Sequence, residues 1–295
     1  MTQNLNPINE LVQKPCFMAL DCPYEKARTV VYGAGFDSTC SNRPGTRFAA
    51  QVMRQDFIGL ETYSPYLDKD LLDSSISDLG DLDMPIGQPE EAVSLVEKLQ
   101  DRLLSDGKIP CMIGGEHLLT LGSFRATLKH HPDLVLVQLD AHTDLRDDYL
   151  GLKLSHASVV RRCHDLVGDG RIYQFGIRSG EAAEWLFAKE HTSLFPFNLD
   201  SLVQGIEPLI QSQVPVYLTL DLDVLDPSVF PGTGTPEPGG VSFEALRVAL
   251  TELAKLHVVA FDLMELSPPY DPSGISSAAA CKALREMLLL YSCAR

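Results

Sequence analysis

The chain has 295 residues, of which 45% are hydrophobic, and its formal net charge at pH 7 is -16. A chain of this length and composition can bury one large core, so we predict a single domain over residues 1–295. The strong negative charge argues against nucleic-acid binding and favours cationic ligands near the surface.

Six short apolar, β-branched runs predict buried strands. In chain order they are residues 29–32, 111–113, 134–139, 172–175, 214–222 and 258–263. Longer segments with helical periodicity lie between them, at residues 90–106, 118–130, 157–166, 181–189 and 243–256. This alternation is typical of right-handed βαβ units. We therefore predict an α/β three-layer sandwich, in which helices cover both faces of a mostly parallel sheet.

Potential metal ligands follow the third predicted strand, residues 134–139. In open α/β sheets, ligands bind beyond the carboxyl ends of the strands. Asp140, His142 and Asp144 occupy alternate positions there. In an extended segment alternate side chains project to one side, so all three could hold one ion or ion pair. Taken alone, the motif also fits a solvated strand end with a capping Asp.

Two further strand ends carry similar chemistry. The fifth predicted strand runs into Asp221 and Asp223, whose carboxylates repel each other unless a cation lies between them, although a helix-capping pair fits the spacing equally well. The second leads through two glycines to His117, although a lone His is more often a hydrogen-bonding residue. Together the three strand ends offer two imidazoles and four carboxylates, enough ligands for two metal ions. Oxygen and imidazole donors without thiolate favour Mn²⁺ over structural Zn²⁺.

These motifs resemble the ureohydrolase family (arginases and agmatinases), occur in the family's order and cover most of the chain. They are Gly114-Gly115-Glu116-His117, Asp140-Ala141-His142-Thr143-Asp144, Ser155-His156-Ala157, Asp221-Leu222-Asp223 and Gly232-Thr233-Gly234-Thr235-Pro236-Glu237-Pro238-Gly239-Gly240. The segments 33–47 and 265–271 are similar to the family's first strand and loop and to its last strand exit. Pro236-Glu237-Pro238 and the segment 61–66 look more like agmatinases than arginases.

The resemblance implies an arginase-like fold, two Mn²⁺ ions per subunit and a homo-oligomer, either a trimer or a hexamer. In the implied ligand set Asp140 and Asp221 bridge the ions, His117 and Asp144 bind one ion, and His142 and Asp223 bind the other.

The resemblance also implies two residues that act on the substrate. Glu265 would receive a guanidinium, which pairs bidentately with carboxylates, and His156 would transfer a proton to the departing amine. Taken alone, Glu265 also fits an ordinary strand-end residue, although the apolar run 258–263 before it argues against this. His156 fits a helix-start residue beside the capping Ser155 equally well.

Charge distinguishes the possible small-molecule guanidino substrates. Asp147, Asp148 and Glu237 would favour a second cationic end, as in agmatine, so we expect cleavage to putrescine and urea. Arg146 could instead meet a carboxylate, which keeps guanidinobutyrate open. Apolar Leu152 stands where arginases use a polar contact, which argues against arginine. Guanidine and formiminoglutamate remain further alternatives.

Three other functions fit parts of the pattern. Asp221-Leu222-Asp223-Val224 matches the nucleophile motif of Mg-dependent haloacid-dehalogenase-type phosphatases, but this leaves His117 and the 140–144 motif unexplained. Deacetylases of related fold hold one zinc, and a metal count would distinguish them. A non-catalytic metal-binding regulator is the third, and it would be expected to have lost some of these ligands.

Cysteine usage and hydropathy suggest the compartment. The seven cysteines are scattered from Cys16 to Cys293 without a CxxC pair, which suits reduced thiols. Residues 1–16 lack the apolar core of a signal peptide, and no run is long enough to span a bilayer. We therefore expect a cytoplasmic protein without a membrane segment.

Overall fold

The computed structural model describes residue 17 and residues 19–292; Cys16 and Cys293 lie outside the described residues. The described part contains ten strands and eight α-helices. In chain order these are β1 Thr29–Ala34, α1 Ala49–Asp56, β2 Tyr63–Ser64, β3 Lys69–Asp70, β4 Ile76–Asp81, α2 Pro89–Ser105, β5 Ile109–Gly114, α3 Thr120–His130, β6 Val135–Leu139, α4 Val159–Val167, β7 Ile172–Phe175, α5 Ala182–His191, β8 Ser193–Phe195, α6 Leu202–Ser212, β9 Pro215–Asp221, α7 Phe243–Leu253, β10 His257–Met264 and α8 Ile275–Tyr291.

Eight strands form one sheet in the order β4-β1-β5-β10-β9-β6-β7-β8, and every neighbouring pair is parallel. The two-residue strands β2 and β3 form a separate antiparallel pair. All six predicted strands are present in the large sheet, so the predicted parallel α/β architecture is confirmed.

Alternate residues along the strands belong to two separate hydrophobic cores. Val31 of β1 packs with residues of α1, α6, α7 and α8, whereas its neighbours Val30 and Tyr32 pack with residues of α2, α3 and α4. Side chains of a strand alternate between faces, so both faces of this sheet are buried by helices. The prediction of three layers is confirmed.

In the large sheet, the strands missed by the sequence analysis are the two edges, β4 and β8; the short pair β2 and β3 was missed as well. The sequence of β4, Ile-Ser-Asp-Leu-Gly-Asp, is too polar to stand out as a buried strand. Its Asp78 is nevertheless buried, because the guanidinium of Arg54 binds it with an Nε to Oδ2 distance of 2.8 Å. Within the described residues, no helix combines the length and the apolar character needed to cross a bilayer.

The topology brings the motif-bearing strands together. β5, β10, β9 and β6 are consecutive neighbours in the sheet. Because all are parallel, the residues that follow them meet at one edge. His117 follows β5, Glu265 follows β10, Asp221 ends β9 and Asp140 follows β6.

Candidate metal centre

The imidazole of His117 lies at the centre of three carboxylates. Its Nδ1 is 3.1 Å from Asp140 Oδ2, 3.0 Å from Asp144 Oδ2 and 3.3 Å from Asp221 Oδ2. This nitrogen is buried and has no well-aligned hydrogen bond, while Nε2 lies 2.8 Å from Thr219 Oγ1. One ring nitrogen cannot serve three acceptors, so the arrangement fits ligands converging on a shared cation.

A second group forms around His142. Its Nδ1 lies 2.9 Å from Asp223 Oδ2 and 3.7 Å from Asp140 Oδ1. Asp140 is therefore a member of both groups, which fits the bridging role implied for it. The Oδ2 of Asp221 faces His117, and its Oδ1 accepts a hydrogen bond from the amide of Asp223 at 2.9 Å.

The buried carboxylates need compensating charge. Burial, together with the charges of Asp223 and Asp144, raises the pKa of Asp140 to about 7. Burial and the Asp223 carboxylate also raise the pKa of Asp221 well above its usual value. Burial opposes ionisation of Asp223 too, but the adjacent His142 outweighs it and holds the pKa of Asp223 below its usual range. Divalent cations would stabilise the ionised forms, so the donor set fits a pair of metal ions.

Two residues at the centre have strained backbones. Asp144 has a φ of 52° and Glu265 a φ of 68°, in the left-handed region that non-glycine residues seldom adopt. Neighbouring hydrogen bonds hold both in place: the carbonyl of Asp144 accepts from two amides of α4, and the amide of Glu265 donates to Gly115 O. Such strain is concentrated at functional sites, where the surrounding structure fixes the geometry.

Glu265 extends from β10 into the centre beside His117. Its Oε1 accepts a hydrogen bond from the amide of His117 at 2.7 Å, and the residue is 5% exposed. Burial raises the pKa of Glu265 well above its usual value, although the His117 amide partly opposes the shift. A buried carboxylate of this kind gains from a cationic partner.

His156 lies at the start of the segment that leads into α4. Its Nε2 is 3.3 Å from Ser41 Oγ, and its amide donates to Thr39 Oγ1 at 3.2 Å. Thr39 in turn binds the buried carboxylate of Glu116 through both its hydroxyl and its amide. The loop after β1 thus positions His156, a connection that the sequence analysis missed. Burial lowers the pKa of His156 below its usual value.

A cavity of about 340 Å³ opens onto this centre. It is lined by ligands from both groups, by Glu265 and His156, and by Arg146. The sequence analysis did not single out two acids of its wall, Glu181 and Glu184. Arg146 Nη1 lies 2.7 Å from Glu181 Oε1, and Arg146 Nε lies 3.5 Å from Glu184 Oε2.

Three acids that were expected to bind the substrate tail do not line this cavity. Asp147 Oδ1 is 2.8 Å from Arg162 Nη2, and Asp148 Oδ1 accepts from the amide of Gly151 at 3.0 Å. Glu237 contributes its backbone carbonyl to Arg178. The geometry therefore brings together the six predicted metal ligands, His156, Glu265 and Arg146, whereas these three acids do not line the cavity.

A parallel sheet with a carboxylate and imidazole centre at its carboxyl edge fits a metal-dependent enzyme of the α/β class. A family model described as "Arginase family" matches residues 27–290. The chain belongs to this family. It is a ureohydrolase, an enzyme that hydrolyses C–N bonds of guanidino compounds, and its family depends on a binuclear metal centre.

Individual relatives agree with this assignment. The chain is 42% identical over 269 residues to the agmatinase of Bacillus anthracis, covering 90% of this chain and 92% of that one. It is 34% identical over 267 residues to the guanidinobutyrase of Pseudomonas aeruginosa, covering 87% and 84%. A crystal structure of a candidate agmatinase from Clostridium difficile matches with a TM-score of 0.89 and 47% identity, covering 92% of this chain and 99% of that one.

The prediction of a ureohydrolase that resembles agmatinases is thus confirmed. The phosphatase and the non-catalytic regulator are set aside, because the family model spans nearly the whole chain and every ligand position of the motif is occupied by a metal-binding side chain.

Proposed function

We propose that the chain hydrolyses agmatine to putrescine and urea with two Mn²⁺ ions per subunit. The observation that carries the proposal is an acidic cavity, with buried Glu265 beside the metal ligands and Glu181 farther out on the wall, where its side chain is 62% exposed. Agmatine is cationic at both ends, so each end meets a carboxylate. The similarity to agmatinases supports the same choice.

The six ligands would be His117, Asp140, His142, Asp144, Asp221 and Asp223. Their mixture of oxygen and imidazole donors suits Mn²⁺. A bound pair of such ions supplies a hydroxide nucleophile at neutral pH and neutralises the developing negative charge.

The protein's own residues orient the substrate and move the proton. Glu265 accepts hydrogen bonds from the guanidinium and holds its carbon towards the metal ligands, because the His117 amide fixes one of its two oxygens. His156 protonates the departing amine, which would otherwise leave as an unstable anion. Burial favours neutral His156 and so makes its protonated form a stronger acid.

The contacts of Arg146 determine whether a substrate with a cationic or an anionic distal end binds better. Its guanidinium is engaged by Glu181 and Glu184. A distal ammonium can join Glu181 without breaking these contacts, whereas a carboxylate has to compete with Glu181 for Arg146. This favours agmatine over guanidinobutyrate, the substrate in the name of the Pseudomonas relative.

The test is the rate of urea release from agmatine, arginine, guanidinobutyrate, guanidinopropionate, formiminoglutamate and guanidine by the Mn-loaded protein. We expect kcat/KM for agmatine to exceed that for any other member of the panel by at least about tenfold. A higher value for arginine or guanidinobutyrate would contradict the substrate proposal and leave the ureohydrolase chemistry intact.

A matched pair of variants locates the tail-binding charge. Glu181→Gln keeps a side-chain oxygen for the helix-capping role of this residue and removes its charge. It should therefore lower the ratio of kcat/KM for agmatine to kcat/KM for guanidinobutyrate. Asp147→Asn removes an equally exposed acid that lies outside the cavity and should leave that ratio unchanged. Asp147→Asn could instead lower the ratio of kcat/KM for agmatine to that for guanidinobutyrate more than Glu181→Gln does. In that case the distal ammonium binds near Asp147, as the sequence analysis predicted.

A further inference from the structure

A third group of metal-binding side chains lies outside the catalytic centre. Among the described residues, three groups of His, Cys, Asp or Glu bring their ligand atoms within 4.8 Å of one another. Two of these share Asp140 and form the centre. The third consists of His164, Asp169 and His191, and no step of the proposed reaction uses it.

Two imidazoles converge on one carboxylate oxygen at this place. His164 Nε2 lies 2.8 Å and His191 Nδ1 lies 3.0 Å from the same atom, Asp169 Oδ1. Ligands bound to one Zn²⁺ at about 2.0–2.2 Å lie roughly 3.3 Å apart in a tetrahedron. The three side chains therefore need only small shifts to bind one ion.

The local fold holds the three side chains in this arrangement. Phe187 packs against both rings, with centroid distances of 4.9 Å to His164 and 4.4 Å to His191. The imidazoles come from the last turns of α4 and α5. Asp169 lies between Gly168 and Gly170, whose φ values of 72° and 79° favour glycine and turn the chain back towards His164.

We propose that His164, Asp169 and His191 form a third metal site, which binds a zinc-type divalent cation. Two imidazoles favour zinc over Mg²⁺ or Ca²⁺, which prefer all-oxygen sites. Three protein ligands leave a fourth position open to water or to an external ligand. The ion would join the ends of α4 and α5 to the loop between α4 and β7. Glu190 Oε2 lies 3.9 Å from His191 Nε2, the ring nitrogen that would face away from the ion.

The test measures total metal per chain after the Mn-loaded protein is incubated with Zn²⁺ and passed over a desalting column. Total metal is the informative quantity, because zinc that exchanges into the catalytic centre displaces manganese and leaves the sum unchanged. We expect about three ions per chain for the wild type and about two for His191→Ala, with at least about a tenfold weaker zinc affinity in that variant.

His130→Ala is the matched control. His130 Nε2 also contacts an exposed carboxylate, 3.0 Å from Asp101 Oδ1, but this pair belongs to none of the three groups found among the described residues. This variant should bind as much metal as the wild type.

Asp169→Asn provides a second variant at the proposed site, because its exposed side chain can change with little effect on folding. It should behave like His191→Ala, and both variants should release urea at the wild-type rate. A wild-type total of two ions, or equal totals in His191→Ala and His130→Ala, would show that Asp169 and the two imidazoles form hydrogen bonds only. Anomalous diffraction at the zinc edge should place the ion between His164 Nε2 and His191 Nδ1.

Discussion

Replacement of Thr39 by Val tests how the loop after β1 holds His156. The hydroxyl of Thr39 donates to Glu116 and accepts from the amide of His156, and Val has nearly the same shape without these bonds. Each hydrogen bond contributes about 1 kcal/mol, and without the hydroxyl the buried carboxylate of Glu116 keeps the Thr39 amide and the weakly donating Cys40 thiol. We therefore expect the free energy of unfolding to fall by about 2–3 kcal/mol.

The catalytic effect of Thr39→Val should be larger than its effect on stability suggests. Misplacement of a catalytic group by a fraction of an ångström to 1 Å lowers turnover by about tenfold to a hundredfold. Since Thr39 does not contact a metal ligand, the metal content should remain at the wild-type level.

The assays are urea release under saturating agmatine, denaturant unfolding and metal analysis. Thr39→Ser is the control, because it keeps the hydroxyl, and it should retain turnover within about threefold. Wild-type turnover in a destabilised Thr39→Val protein would refute the positioning role and leave Thr39 a purely structural residue.

Four further variants and one treatment test the centre. His156→Asn should keep both metal ions but lower turnover by roughly a hundredfold, and wild-type turnover would make His156 a structural residue. Asp140→Asn and Asp221→Asn should each lose more metal than Asp223→Asn, because a bridging ligand serves both ions; equal metal content in all three variants would contradict the bridging assignment. Chelation should abolish urea release, and Mn²⁺ should restore it; full activity in metal-free protein would exclude a metal-dependent reaction.

Much of the fold could be predicted because its central strands are buried on both faces. Runs such as Val135–Leu139, in which every residue except Gln138 is apolar, leave a clear signal in the sequence. The edge strand β8 has three half-buried residues, and α6 contains Pro208 within its helix, so neither follows a simple pattern. Their positions depend on tertiary packing, which local periodicity does not encode.

The proposed metal ligands could be predicted for a related reason: each ends a strand or lies a few residues beyond its end, and strand order fixes where such residues meet. The other residues that line the cavity or position its side chains could not be predicted in this way. Thr39 and Glu181 lie in loops after β1 and β7, whose paths no periodicity sets. Asp147 follows Arg146 in the chain but contacts Arg162 outside the cavity, while Arg146 lines it. The acids predicted from the loop sequence therefore differ from Glu181 and Glu184, the acids that line the cavity beside Arg146.

The most direct test of the central proposal is a titration of metal-free protein with Mn²⁺, in which urea release from agmatine and bound metal are measured on the same samples. The proposed centre of six ligands predicts that activity rises with bound manganese and reaches its plateau at about two ions per chain. Full activity with one zinc ion per chain, or two bound manganese ions without urea release, would contradict it.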